Sequence, residues 1–196
     1  MERRVSGILM VKDLKVVFLD RDGVINRRKR TLVKSWSEFV FLPGVKDAIR
    51  NLVENGYNII VVTNQDVVGW GFISESKLRE IHSKMSSELE ASGAKITDIY
   101  YCPHNPMKKC SCRKPGPGML KKAAEKYDLD KKNCWMVGDK STDVQAGEAF
   151  GCRTILVKPN LKTSGQNNNK NIIAGGPDFV VKDLKSAVQI ILKEDK

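Results

Sequence analysis

Short apolar segments that end abruptly in polar residues recur along this chain, and they constrain its fold more than any other feature. The first segment, KVVFLD at 15–20, is rich in β-branched residues and leads directly into Arg-Asp-Gly. Comparable segments lie at 57–64, 96–101, 133–139, 152–157 and 178–181. Apolar runs of this length predict strands that are buried on both faces, as the strands of a parallel sheet are.

Helical patterns separate these strands. Pro43 and Gly56 mark the start and the end of the first predicted helix. Ser74 is a predicted N-cap for a long helix that stops at Gly93. Further helices are predicted over 118–127, 142–151 and 183–193. The alternation predicts an α/β fold, with a single doubly wound, mostly parallel sheet that is flanked by helices.

The chain of 196 residues shows no repeat and no linker, so we expect residues 1–196 to form one domain. The Gly/Asn-rich stretch 161–176 predicts a flexible loop. No apolar run approaches the ~20 residues that span a membrane, and Lys12 and Asp13 interrupt the first apolar patch too early for a signal peptide. We therefore expect a cytoplasmic protein with no membrane partner. The sequence gives no indication of its oligomeric state.

The net charge is strongly positive: 34 Lys and Arg stand against 23 Asp and Glu, which gives formally +11. Such basicity suits an anionic partner, for example a phosphorylated metabolite or a nucleic acid, although a solvated basic surface explains it equally well. The densest basic run is RRKR at 27–30, directly after the first strand.

Acidic residues follow two of the predicted strands, where a doubly wound sheet binds its ligands. Asp20 and Asp22 are two residues apart, so an extended backbone would direct both carboxylates to the same side, with Cα atoms ~6.6 Å apart. One could act as a nucleophile and the other as a proton donor and acceptor, or the motif could be a simple Asp/Gly turn. Asp139 and Asp143 add negative charge that a cation would have to offset, and Mg²⁺ suits oxygen ligands and phosphate substrates.

Groups that can hold phosphate oxygens follow two other strands. A hydroxyl and an amide come after the second predicted strand, and a planar cation and a point charge come after the third. These groups belong to Thr63, Asn64, Arg113 and Lys114. Together with the carboxylates, they predict a site with a nucleophilic acid, a second acid, a metal and several phosphate donors.

The loop 102–112 crowds three cysteines and a histidine together, at Cys102, His104, Cys110 and Cys112. In a reducing compartment, such a cluster indicates a metal before a disulfide, and three thiolates with one imidazole match a closed tetrahedral zinc site. Four protein ligands leave no open position, so the zinc would be structural. It would also fix the direction of Arg113, which follows the last ligand. A redox pair is the alternative, and Cys134 and Cys152 are expected to be buried apolar residues.

The order of DRDG, TN, RKP and GDKSTD resembles the haloacid dehalogenase superfamily of phosphotransferases. The longer motifs DRDGVIN, FLPGV, VTNQ, CRKPGPGM and MVGDKSTD are similar to those of its heptose bisphosphate and histidinol phosphate phosphatase subgroup, which often carries a zinc loop. The resemblance covers residues 15–157.

The resemblance implies that Asp20 forms an aspartyl-phosphate and that Asp22 transfers protons to and from the reacting oxygens. It implies a Mg²⁺ site made of Asp20, the main-chain carbonyl of Asp22, and Asp139. Thr63 and Lys114 would stabilise the transferring phosphoryl group. The positions implied to contact substrate are Arg28, Lys29, Arg30, Thr31, Asn64, Gln65, Asp66, Arg113 and Lys140.

The basic run 27–30 favours a substrate with a second anionic group, so we predict removal of the 7-phosphate from a heptose 1,7-bisphosphate. Histidinol phosphate, whose amino and imidazole groups are cationic, is the alternative. A 3′-phosphatase of nucleic acid ends is less favoured because no aromatic stacking surface is visible. A non-catalytic zinc-stapled binding module is also less favoured, because the set of Asp20, Asp22, Lys114 and Asp139 is intact. The chain departs from the subgroup at Asp66, where Ser is common, and at Trp70, where Arg is common.

Overall fold

The structure is a computed structural model, and it describes residues 14–161 and 176–195. The predicted flexible loop at 161–176 therefore lies almost wholly outside the described residues. Within the described part of the chain, no helix is long and apolar enough to cross a membrane.

Six strands form one sheet in which all neighbouring strands are parallel, in the order β3-β2-β1-β4-β5-β6. The strands are β1 Val16–Leu19, β2 Asn58–Asn64, β3 Asp98–Cys102, β4 Cys134–Gly138, β5 Arg153–Val157 and β6 Phe179–Val181. The predicted doubly wound, mostly parallel sheet is confirmed.

Helices follow the strands as the sequence predicts. They are α1 Val45–Glu54, α2 Asp66–Gly69, α3 Glu75–Glu90, α4 Gly118–Tyr127, α5 Ser141–Phe150 and α6 Leu184–Glu194. The hydroxyl of Ser74 accepts a hydrogen bond from the backbone N–H of Lys77 at 3.1 Å, so Ser74 caps α3 as expected. Helix α2 was not predicted, because four residues are too few to show a helical period.

The central strands bury both of their faces, and successive side chains alternate between two apolar layers. Val17 and Leu19 of β1 pack in the layer that contains α1, α3 and α6. Val16 and Phe18 pack in the layer that contains α4 and α5. This two-sided burial explains why the strands are apolar without alternation in the sequence.

The strand order reverses between β1 and β4, so the carboxyl ends of these two strands meet at the switch point of the sheet. Leu19 is paired with Val137, and the backbone N–H of Asp20 donates to the carbonyl of Val137 at 2.9 Å. Asp20 and Asp139, each next to the end of its strand, are thereby brought to one edge of the sheet.

Candidate active site

Lys114 is a buried cation between two carboxylates. Its Nζ lies 2.8 Å from Oδ1 of Asp20 and 2.6 Å from Oδ1 of Asp143, and it also donates to the carbonyl of Val62 at 2.7 Å. Burial acts to lower the pKa of Lys114, but the two carboxylates outweigh it and raise the pKa overall. The residue is therefore a fixed positive charge.

Asp20 lies in the same buried cluster. Burial raises its pKa, and although Lys114 opposes this effect, the nearby carboxylates of Asp143 and Asp22 add to it. The protein groups around Asp20 therefore do not fully stabilise its ionised form.

Three carboxylates form an acidic cluster at the switch point. Oxygen atoms of Asp20, Asp139 and Asp143 lie within 4.8 Å of one another. Oδ1 of Asp139 is buried and has no hydrogen-bond partner among the described residues, while Oδ2 pairs with Arg28. Gly23 has a φ of +102°, and a Cβ there would lie 2.0 Å from Oδ2 of Asp139, so only glycine fits against this carboxylate. The oxygen donors and the orphaned atom fit a hard cation such as Mg²⁺.

The carboxylate of Asp22 is held by several donors. It accepts from Nη2 of Arg21 at 2.8 Å, from Nδ2 of Asn26 at 2.9 Å and from Nε2 of Gln65 at 2.8 Å. Burial acts to raise the pKa of Asp22, but the Arg21 charge and the amide donors outweigh it and lower the pKa overall. Asp22 lines the same cavity as Asp20, but the expected extended backbone is wrong, because β1 ends at Leu19 and the chain bends at residue 21.

Sequence reasoning missed the residues behind Asp22. Arg21 is 1% exposed, and its Nη1 lies 3.0 Å from Nε2 of His82. Burial and the Arg21 charge lower the pKa of His82 to about 3, so this ring is neutral. A signal was present, since an arginine stands between the two aspartates of DRDG and a histidine interrupts the apolar stripe of α3.

The residues after β2 support the cluster through short hydrogen bonds. The hydroxyl of Thr63 accepts from Nε2 of Gln65 at 2.9 Å. The amide of Asn64 bonds to the backbone of Lys114 through both its oxygen and its nitrogen, since Oδ1 accepts its N–H at 3.1 Å and Nδ2 donates to its carbonyl at 3.0 Å. Asn64 therefore fixes the chain that carries the buried cation.

One cavity of about 320 Å³ adjoins these residues. It contains most of the predicted site positions, namely Asp20, Asp22, Arg28, Lys29, Thr63, Asn64, Gln65, Asp66, Arg113, Lys114 and Lys140. Arg30 and Thr31 are exposed and do not line it, and Asp139, which pairs with Arg28, is also absent from its lining. Thr142 lines the cavity although the sequence did not single it out.

The four side chains of the Cys/His cluster bring their sulfur and nitrogen donor atoms close together. Sγ of Cys102 lies 3.6 Å from Sγ of Cys110 and 3.5 Å from Nδ1 of His104, which is 3.4 Å from Sγ of Cys112. Ordinary Zn–S and Zn–N bond lengths in a tetrahedron give edges of about 3.8 and 3.6 Å, so the donors fit a zinc ion. Cys134 and Cys152, by contrast, are buried in the apolar core.

Arg113 bridges the Cys/His loop and the cavity. Its Nη1 and Nη2 donate to the two carboxylate oxygens of Asp66, at 2.6 and 3.1 Å, and Nη1 also donates to the carbonyl of His104 at 3.2 Å. Hydrogen bonding to Asp66 raises the pKa of Arg113. The structure thus gives Asp66, which the sequence left unexplained, a specific partner.

A parallel α/β sheet with an acidic cluster, a buried lysine and a basic cavity at its switch point defines a phosphotransferase-type hydrolase. The sequence profile of the HAD-hydrolase-like family matches residues 111–187. A D-glycero-beta-D-manno-heptose-1,7-bisphosphate 7-phosphatase from Pseudomonas putida is 39% identical over 145 residues, which cover 74% of this chain and 83% of the relative. A D-glycero-alpha-D-manno-heptose-1,7-bisphosphate 7-phosphatase from Photorhabdus laumondii is 38% identical over 164 residues, covering 80% of this chain and 89% of the relative.

A solved structure agrees with these relatives. The D,D-heptose 1,7-bisphosphate phosphatase from B. bronchiseptica, complexed with magnesium and phosphate, has a TM-score of 0.80 and 34% identity, and the match covers 92% of this chain and 99% of that one. The chain belongs to the D-glycero-D-manno-heptose-1,7-bisphosphate 7-phosphatase family of HAD-like hydrolases. The resemblance read from the motifs is confirmed.

Proposed function

We propose that this protein is a Mg²⁺-dependent phosphomonoesterase that removes the 7-phosphate from D-glycero-D-manno-heptose 1,7-bisphosphate. The observation that carries the proposal is the position of Asp20, which lies at the switch point against Lys114 and beside the carboxylates of Asp139 and Asp143. The family relatives are named for this reaction on either the alpha or the beta anomer.

In the first step, a carboxylate oxygen of Asp20 attacks phosphorus, and the bond from phosphorus to the sugar oxygen breaks. Asp22 gives its proton to the departing sugar oxygen, so the sugar leaves as an alcohol and the phosphoryl group stays on Asp20. Lys114 and the hydroxyl of Thr63 stabilise the phosphoryl oxygens, because charge on them has to be held in place during the transfer.

In the second step, Asp22 takes a proton from water, and the oxygen of that water attacks the phosphorus of the aspartyl-phosphate. Free phosphate leaves and Asp20 regains its carboxylate. The donors around Asp22 favour its ionised form, which is the form that this step requires. The first step requires the protonated form of Asp22. A substrate oxygen next to this carboxyl group therefore has to accept a hydrogen bond from it and so stabilise that form.

Asp20, the main-chain carbonyl of Asp22, and Asp139 would hold the Mg²⁺ ion. The ion would offset the repulsion in the acidic cluster and draw charge from the phosphoryl oxygens. Cys102, His104, Cys110 and Cys112 would hold a structural Zn²⁺ ion, since four protein donors leave no position for a substrate or water. A cytoplasmic location remains our expectation from the sequence.

Phosphate release in the presence of Mg²⁺ tests the proposal. The substrates are both anomers of the heptose 1,7-bisphosphate, histidinol phosphate, and an oligonucleotide with a 3′-phosphate. We expect the sugar bisphosphates to be hydrolysed with a kcat/KM at least about tenfold above the others, and EDTA to abolish turnover until Mg²⁺ is restored. A preference for histidinol phosphate or for the oligonucleotide would refute the substrate assignment.

A further inference from the structure

The charges that line the cavity are almost all paired. Arg21 pairs with Asp22, Arg28 with Asp139, Lys29 with Glu38, Arg113 with Asp66, and Lys114 with Asp20 and Asp143. Over residues 14–161 and 176–195, Lys140 is the cavity cation that takes part in no ion pair. The basic residues of the cavity therefore offer less free positive charge to a second anionic group than their number indicates.

The pair of Arg113 and Asp66 differs from the other pairs because both members line the cavity and neither is assigned to phosphoryl transfer or to the Mg²⁺ site. Both of its side chains line the cavity and are less than a quarter exposed, at 24% and 22%. The two bonds, at 2.6 and 3.1 Å, join both terminal nitrogens of Arg113 to both oxygens of Asp66. A pair of this geometry, partly shielded from bulk water, cancels most of the field of the guanidinium.

A guanidinium has five N–H donors in a fixed plane. Asp66 takes one donor from each terminal nitrogen, and the carbonyl of His104 takes the second donor of Nη1. No acceptor among the described residues takes the other two donors, the second one on Nη2 and the one on Nε, and the planar geometry makes them point to the same side. Because Arg113 and Asp66 both line the cavity, a ligand that reaches these two donors would meet a neutral pair, with lone pairs of Asp66 beside them.

Two adjacent hydroxyl groups of a sugar match this surface, because each hydroxyl both donates and accepts. A phosphate dianion matches it poorly, because it accepts hydrogen bonds but is repelled by the carboxylate of Asp66. We propose that the Asp66–Arg113 pair binds the hydroxyl-bearing part of the sugar, and that Asp66 sets specificity by preventing Arg113 from recognising a second phosphate. The proposal rests on the proposed function, since it concerns substrates of that site.

The test compares two substrates that share the phosphate to be removed, heptose 1,7-bisphosphate and heptose 7-phosphate. The readout is the ratio of their kcat/KM values, measured with wild type, Asp66→Asn, and Asp66→Glu. In Asp66→Asn the charge is removed with little change in shape, so we expect the ratio of bisphosphate to monophosphate to rise about tenfold or more. Asp66→Glu keeps the charge and should restore a ratio near that of wild type.

Glu88→Gln is the matched control, since it removes one exposed carboxylate that pairs with Lys46 away from the cavity. It should leave the ratio unchanged. An unchanged or lower ratio in Asp66→Asn overturns the proposal if wild type hydrolyses either substrate. If wild type hydrolyses neither, the proposed function fails instead, so the two failures are distinguishable.

A measurement on wild type alone covers the case in which Asp66→Asn does not fold. If the charge of Arg113 is cancelled, wild type should prefer the bisphosphate over the monophosphate by less than about a hundredfold, since only Lys140, and Arg28 once Mg²⁺ occupies Asp139, are free to attract the second phosphate. A wild-type preference above about a hundredfold would overturn the proposal without any variant.

Discussion

The ammonium group of Lys114 lies 2.8 Å from Asp20 and 2.6 Å from Asp143, with all three side chains almost completely buried. A buried pair that loses one partner leaves a charge without compensation, at a cost of about 3–5 kcal/mol. We expect Lys114→Met, which keeps the length of the side chain, to lower the free energy of unfolding by about 3 kcal/mol at neutral pH. Urea unfolding measures this free energy.

The loss of the Lys114 cation should also reduce kcat by roughly 10²–10³-fold. A variant with reduced stability but unchanged kcat would remove Lys114 from phosphoryl transfer.

Replacing the proposed nucleophile separates chemistry from folding. Asp20→Asn keeps the volume and an oxygen for Lys114 to bond, but an amide cannot form the aspartyl-phosphate. Turnover should fall by roughly 10³-fold or more, while the circular dichroism spectrum and the cooperativity of unfolding stay those of wild type. Phosphate release under single-turnover conditions measures the chemical step, and near wild-type release would remove the central assignment.

Loss of the Cys/His cluster should affect substrate binding more than chemistry. The carbonyl of His104 holds one donor of Arg113, so releasing the loop should let the guanidinium move. We expect Cys110→Ser to lose bound zinc and to raise KM about tenfold, with a smaller change in kcat. Zinc content by atomic absorption and steady-state kinetics test both effects.

Cys134→Ser is the matched control for that variant. Its thiol lies outside the cluster and donates to the carbonyl of Asp130, a bond that a serine hydroxyl can also make. It should keep the zinc and the kinetics of wild type. If Cys110→Ser lost zinc while KM and kcat stayed unchanged, the loop would not position the cation.

Parts of the site that depend on strand ends could be predicted from the sequence. Parallel strands bring their carboxyl ends to one edge, so Asp20 and Asp139 were expected to meet without knowledge of any side chain. The pairs of Arg21 with His82 and of Arg113 with Asp66 could not be predicted in this way. Their members are 61 and 47 residues apart, and their contacts depend on where α3 and the Cys/His loop pack. The alternation of strands and helices does not specify that packing, since it sets the order of the layers and not the facing side chains.

The close approach of α2 to the Cys/His loop is another contact without a sequence signature. A Cβ on Gly69 would lie 2.3 Å from the backbone nitrogen of Asn105, and the carbonyl of Gly69 accepts from Nδ2 of Asn105 at 3.3 Å. Gly69→Ala must therefore displace backbone, and we expect it to lower the free energy of unfolding by about 1–3 kcal/mol and to raise KM. Gly71→Ala is not a clean control because Gly71 has a φ of +72°. Ser83→Ala, at an exposed position of α3, serves instead and should change neither quantity.

The neutral His82 behind Arg21 predicts an acid-sensitive fold. Its pKa of about 3 in the folded protein lies below the ordinary value near 6.5, so the unfolded chain binds a proton that the folded chain excludes. Stability from this residue is fully present above about pH 6.5 and is lost as the pH falls toward 3.

Glutamine does not titrate, and its side-chain oxygen can still accept from Arg21. We therefore expect the stability of wild type relative to His82→Gln to fall by about 2 kcal/mol between pH 6.5 and pH 4.5, measured by urea unfolding. The carboxylates that titrate in this range are common to both proteins and cancel in the difference. A difference that does not depend on pH would mean that the pKa of His82 is the same in the folded and the unfolded protein, so that the contact with Arg21 does not keep the ring neutral.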